Sequence, residues 1–149
     1  MKPLNEIKIG MASDHAGVEL KQYLLDFLKE KGCEVSDFGT NSTESCDYPD
    51  FAHPLAEAVE QNKCDYGIAI CGSGNGISMT LNKHQQVRAA LCWDTPLAEL
   101  ARQHNDANIL SLPARFISTE KAVEMVLAFF STDFEGGRHQ NRVDKIAVK

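Results

Sequence analysis

The 149-residue sequence predicts a doubly wound, Rossmann-like α/β fold: a five-stranded parallel sheet with helices on both faces, followed by a C-terminal tail. Two observations carry that prediction. Short apolar runs recur along the chain, and each is followed by a segment whose apolar residues fall at helical spacing. Parallel strands need crossover helices, and right-handed crossovers in both directions cover both faces of the sheet. The length and the 43% hydrophobic content suit one continuous core, so residues 1–149 are expected to form a single domain.

The first unit is the run Ile7 to Met11, ending at Ala12-Ser13-Asp14, and a helix carrying Leu20, Leu24, Phe27 and Leu28, which Gly32 stops. The second is Cys33 to Phe38, a loop rich in Ser, Thr and Asn, and a helix after Pro49-Asp50 that holds Leu55, Ala58 and Val59. Tyr66 to Ile70 forms the third strand; it enters Cys71-Gly72-Ser73-Gly74-Asn75-Gly76 and a short helix. Val87 to Cys92 is the fourth. The next helix is expected to take Thr95 as cap and Pro96 in its first turn, with Leu97, Leu100, Ala101 and His104 on one face. The fifth strand, Ala107 to Leu112, precedes a helix capped by Ser118 whose Val123, Val126, Leu127 and Phe130 should face the core. The polar tail Arg138-His139-Gln140-Asn141-Arg142 after Gly136-Gly137 must dock or fray.

Net charge excludes some function classes. At −6 the chain offers no basic field for a nucleic-acid backbone, and no segment approaches the roughly 20 apolar residues of a membrane span. Met1 to Asn5 lacks the apolar stretch of a signal peptide, and five cysteines without C-x-x-C spacing suit a reducing compartment, so a cytoplasmic protein is expected. Asn41-Ser42-Thr43 matches a glycosylation acceptor but reads as a plain turn in that setting.

Ligands of open α/β sheets bind beyond the carboxyl ends of the strands, where three constellations are expected: Ser13-Asp14-His15, the glycine loop from Cys71, and His104-Asn105-Asp106. The loop is the strongest signal, because three glycines between a strand and a helix let backbone N–H groups point at an anion. It lacks the Gly-Lys-Ser/Thr of a Walker loop and the third Gly of a dinucleotide fingerprint, where Ile77 stands; nor does it supply the Arg of a phosphatase loop. What remains is a cradle of donors with a thiol at its edge, suited to a developing enediolate, with Cys71 as base. The plainer alternative is that Cys71 is a small buried hydrophobe, as Cys33, Cys64 and Cys92 are expected to be. Asp14 reads equally as an ordinary helix cap, His104 as a core histidine and Asn105 as a helix terminator. Arg138 and Arg142 stand i, i+4, so a helical tail would present both to a phosphate, with Arg115 as a third cation; a solvated tail is the alternative.

Five motifs in order resemble the ribose-5-phosphate isomerase B family and its galactose- and allose-6-phosphate isomerase relatives, over nearly the whole chain. They are Ser13-Asp14-His15-Ala16-Gly17, Asp47-Tyr48-Pro49, Ile70 to Ile77, Arg102 to Asn108, and Glu135 to Arg142. The resemblance implies an aldose–ketose isomerase in which Cys71 moves a proton between C1 and C2, Ser73 helps the oxygens exchange protons, and amides from Gly72 to Gly76, with Gly74 and Asn75 between, hold the enediolate. By the same resemblance His104, with Asp14, opens the furanose ring; Asn105, Tyr48 and His15 contact sugar or phosphate; Arg115, Arg138 and Arg142 bind phosphate. One branch of the family has Glu at the position of Ile77 and lacks the Cys, so this chain resembles the Cys-base branch. Many relatives have Thr at the position of Ser73, which keeps the hydroxyl. The family implies no metal or cofactor, and a homodimer or dimer of dimers with shared sites. Other readings are a hexose-6-phosphate isomerase on the same scaffold, a non-catalytic sugar-phosphate sensor, and a flavodoxin-like nucleotide or flavin binder.

Overall fold

The structure, a computed structural model, describes residues 1–149. A 3-10 turn, Leu4–Glu6, leads into β1 (Lys8–Ser13), α1 (Val18–Glu30), β2 (Glu34–Asp37), α2 (Pro49–Glu60), β3 (Tyr66–Cys71), α3 (Asn75–Leu81), β4 (Ala89–Leu91), α4 (Thr95–Asn105), β5 (Ile109–Pro113), α5 (Thr119–Phe129) and α6 (Arg138–Val143). The five strands form one sheet in the order β2-β1-β3-β5-β4, and every pairing is parallel. This is the doubly wound, Rossmann-like arrangement expected from the sequence. No helix is long and apolar enough to cross a membrane.

The two faces of the sheet are unequal because large and small residues alternate along the strands. Ile9, Met11, Ile68, Ile70, Leu110 and Leu112 face a core completed by α1, α4 and α5. On the other face Ala12, Ala69 and Cys71 join a second core with α2 and α3. There Gly10 and Gly67 leave room for Leu55: a Cβ on them would lie 2.6 and 3.1 Å from its Cδ1. Close approach of α2 to the sheet therefore depends on two missing side chains.

α4 departs from expectation in its cap and its phase. Its N-cap is Asp94, whose side chain accepts from Thr95 N at 2.8 Å, so Thr95 is already helical. Of the expected face of Leu97, Leu100, Ala101 and His104, Ala101 is buried and Leu97 packs half-buried against the core, but Leu100 is 41% exposed and the buried side is completed by Ala98 and Arg102. The reason is Arg102, whose guanidinium lies over the rings of Tyr66 and Phe129 and donates to the carbonyls of Ala107 and Thr132. Delocalised charge and apolar stem suit such a site. In α5, Ser118 caps as expected by accepting from Lys121 N, but Leu127 points outward and Met125 and Phe129 are buried instead.

Cys33, Cys64 and Cys92 are buried, as expected, and burial pushes the Cys92 thiol up to about 12. Cys46, by contrast, lies half-buried in the loop after β2. Two measurements check these packing claims. Leu55→Ala should lower stability by about 2–5 kcal/mol in a urea titration, since it opens a cavity over two glycines that cannot fill it. In a native thiol titration Cys46 should react first and Cys92 last, and Cys46→Ser should remove the fast phase.

Candidate functional site

β3 carries Cys71 as its last residue, with the side chain on the α2/α3 face and 4% exposed. The chain then turns through Gly72 and Ser73 to Gly74, whose φ of +77° only glycine adopts without strain. The loop is pinned to the segment after β5: Ala114 N donates to Cys71 O at 2.9 Å and Arg115 N to Gly72 O at 3.0 Å. Those bonds draw the Arg115 guanidinium over Gly72, where its Nη1 lies 3.2 Å from the position a Cβ would take. Ser73 and Asn75 are exposed, Ser73 Oγ accepts from Asn75 N, and Ser78 Oγ donates to Gly74 O at 2.6 Å.

Tyr48, the residue before α2, lays its ring on Gly76, with its hydroxyl 2.7 Å from where a Cβ would stand. The glycines of this loop thus serve three purposes. Gly72 admits Arg115, Gly74 makes the turn, and Gly76 seats Tyr48. At the end of β1, Asp14 accepts from Ala16 N at 2.9 Å and is buried, while Gly17 is the residue that precedes α1. Asp14 therefore closes a local turn rather than capping the helix. His15 Nδ1 accepts from Cys46 N at 3.2 Å, which in the neutral ring puts the proton on Nε2 and makes that nitrogen a donor. Beside Ser73 and Asn75 a groove of about 420 Å³ is walled by Leu91, Trp93, Pro113 and Phe116.

The loop that carries Cys46 and Tyr48 is tied down by a residue the sequence reading passed over. Lys21 is fully buried in α1 and donates to both oxygens of Asp37 (2.7 and 2.8 Å) and to Asn41 Oδ1 at 3.1 Å. Asp37 also accepts from Gly39 N, and Thr40 N donates to Ser13 O. A signal existed, because Lys21 stands at helical spacing with the buried Leu24, Leu25 and Leu28.

The third constellation does not lie at the carboxyl ends of the strands. α4 starts beyond the carboxyl end of β4 and runs back, so His104 and Asn105 end it just before β5 begins, at the amino edge of the sheet. Asp106, with φ of +46°, is the left-handed cap that makes the turn into β5. His104 is not a core histidine, its side chain being 39% exposed, and its Nε2 lies 3.5 Å from Glu135 Oε1. The tail docks as α6 against α4, bringing Arg138 and Arg142 to the same edge and stacking His139 on His104 with centroids 4.2 Å apart. One chain thus holds two separated groups: Asp14, His15, Tyr48, Cys71 to Gly76 and Arg115 at one edge, and His104, Asn105, Arg138 and Arg142 at the other. Glu135 and His139, beside His104, had drawn no separate attention in the sequence.

Residues 9–146 match the model of the family described as Ribose/Galactose Isomerase. Ribose-5-phosphate isomerase B of Escherichia coli (strain K12) is 45% identical over 141 residues, covering 95% of each chain. A solved structure of Clostridium thermocellum ribose-5-phosphate isomerase B superposes with a TM-score of 0.93 at 50% identity, covering 94% of this chain and 95% of that one. The same enzyme from Mycoplasma genitalium, with bound ribulose-5-phosphate, gives a TM-score of 0.90 at 45% identity over 93% of each chain. With its fold, its glycine loop and nearly its whole length accounted for, the chain belongs to the ribose/galactose isomerase family.

Proposed function

We propose that this chain interconverts D-ribose 5-phosphate and D-ribulose 5-phosphate through an enediolate, without a metal or cofactor. The observation that carries the reading is the thiol of Cys71 at the end of β3, opening a glycine loop that the Arg115 guanidinium overhangs. A Cys71 thiolate takes the proton from C2 of the open-chain aldose and returns it to C1. Negative charge passes to O1, where amides from Gly72 to Gly76 stabilise it, and Ser73 moves the hydroxyl proton between O1 and O2. The His15 Nε2 donor, Tyr48 and Asn105 contact the sugar and its phosphate, which Arg115, Arg138 and Arg142 bind. The relative with bound ribulose-5-phosphate supports this substrate class. The chain's free thiols suit work in the cytoplasm.

The cyclic aldose has no free carbonyl, so a separate acid and base must open it, a task assigned to His104 with Asp14. These lie at opposite edges of one chain, and the complete site therefore takes Asp14 and Cys71 from one subunit and His104, Asn105, Arg138 and Arg142 from another. Support comes from Leu100 on α4, exposed in one chain, and from Trp93 and Phe116, 59% and 74% exposed beside the loop. A homodimer, or a dimer of dimers, is the assembly this requires.

The first test is kcat/KM of chelator-treated protein with ribose 5-phosphate beside allose and galactose 6-phosphates. Preference for the pentose is expected; preference for a hexose phosphate would reassign the substrate, and no turnover of any would favour a sugar-phosphate sensor. Cys71→Ala should abolish turnover while leaving affinity largely intact, and Arg142→Ala should mainly raise KM. His104→Asn should slow the aldose-to-ketose direction far more than the reverse, because ribulose 5-phosphate, its O5 esterified, stays acyclic. For the shared site, mixing Cys71→Ala with His104→Ala chains and letting subunits exchange should restore about one quarter of wild-type sites. Mixed activity no higher than either variant alone would place each site within one chain.

A further inference from the structure

We propose that His104, Glu135 and His139 form an inhibitory site for a divalent transition cation such as Zn²⁺, distinct in chemistry from the phosphate site beside it. One ligand atom from each of the three lies within 4.8 Å of the others. A tetrahedral ion with bonds of about 2.1 Å holds its ligand atoms about 3.4 Å apart, and His104 Nε2 and Glu135 Oε1 already stand at 3.5 Å. Two imidazoles and a carboxylate are a donor set zinc accepts with one position left open.

The stacked rings must move for the ion to enter. They lie within 12° of parallel, so their lone pairs run side by side rather than converge. His104 is exposed enough to turn about its Cβ–Cγ bond, and His139, buried against it, provides the fixed ligand. Glu135 is likewise fixed by its own backbone, which donates to Gln103 O at 3.0 Å. Arg138 and Arg142 repel a dication, so an anion in the open position strengthens binding.

The consequence rests on the isomerase reading: an ion on His104 removes the ring-opening nitrogen and leaves the Cys71 chemistry untouched. The experiment separates the two claims. Co²⁺ titrated into chelator-treated protein should saturate at one ion per chain, with a visible d–d band and no thiolate charge-transfer band. His139→Ala and Glu135→Gln should each weaken binding at least about tenfold, whereas Cys46→Ser and His53→Ala should not change it. Zn²⁺ should then inhibit aldose-to-ketose turnover more than the reverse, reversibly with chelator. No saturable binding, a thiolate band, or binding that survives both His139→Ala and Glu135→Gln overturns the site. Saturable binding that fails with those variants, in a protein without isomerase activity, keeps the site and overturns the isomerase reading.

Discussion

The close seat of α2 on the sheet is the constraint on which the loop side of the site depends. It requires that β1 and β3 present Gly10, Ala12, Gly67 and Ala69 on one face, so that Leu55 reaches the strands. With α2 at that depth, the preceding Tyr48 falls onto Gly76 and the Cys71 side chain enters the same packed layer. Side chains on those glycines would lift the helix and move Tyr48 with it. The opposite face, filled by Ile9, Ile68, Ile70 and Leu110, tolerates the ordinary spacing of helices on a sheet.

Much of the fold was legible because alternating apolar runs and helical stripes are local signals. Each strand was found, although β4 is shorter than its run suggests: only Ala89–Leu91 pair, at the sheet's edge. What sequence did not show was phase. Leu100 and His104 look like part of a buried stripe, yet Arg102 takes the inner side of α4 because two aromatic rings and two carbonyls await it there. Those partners come from β3, α5 and the loops, a tertiary matter that no window of one helix contains. Lys21 failed in the same way, since a lysine within an apolar stripe reads as a flaw until Asp37 and Asn41 are seen to meet it.

The candidate site shows the same division. The glycine loop was readable because its composition answers a backbone need, whereas the position of His104 depends on which way α4 runs relative to the sheet. Chain order puts His104 near β5; topology puts it at the amino edge of that strand. Motifs recognised together in sequence therefore need not meet in one chain, and here their separation is what makes an assembly of chains part of the functional argument.

The pinning of the glycine loop to the segment after β5 has a thermodynamic consequence. Ala114 and Arg115 hold Cys71 and Gly72 by backbone bonds, Ser78 holds Gly74, and Tyr48 covers Gly76. A loop so rich in glycine would, if free, lose more conformational entropy on closing around an anion than almost any other segment of its length. Here that loss falls within folding, so the loop's backbone is already ordered in the folded chain.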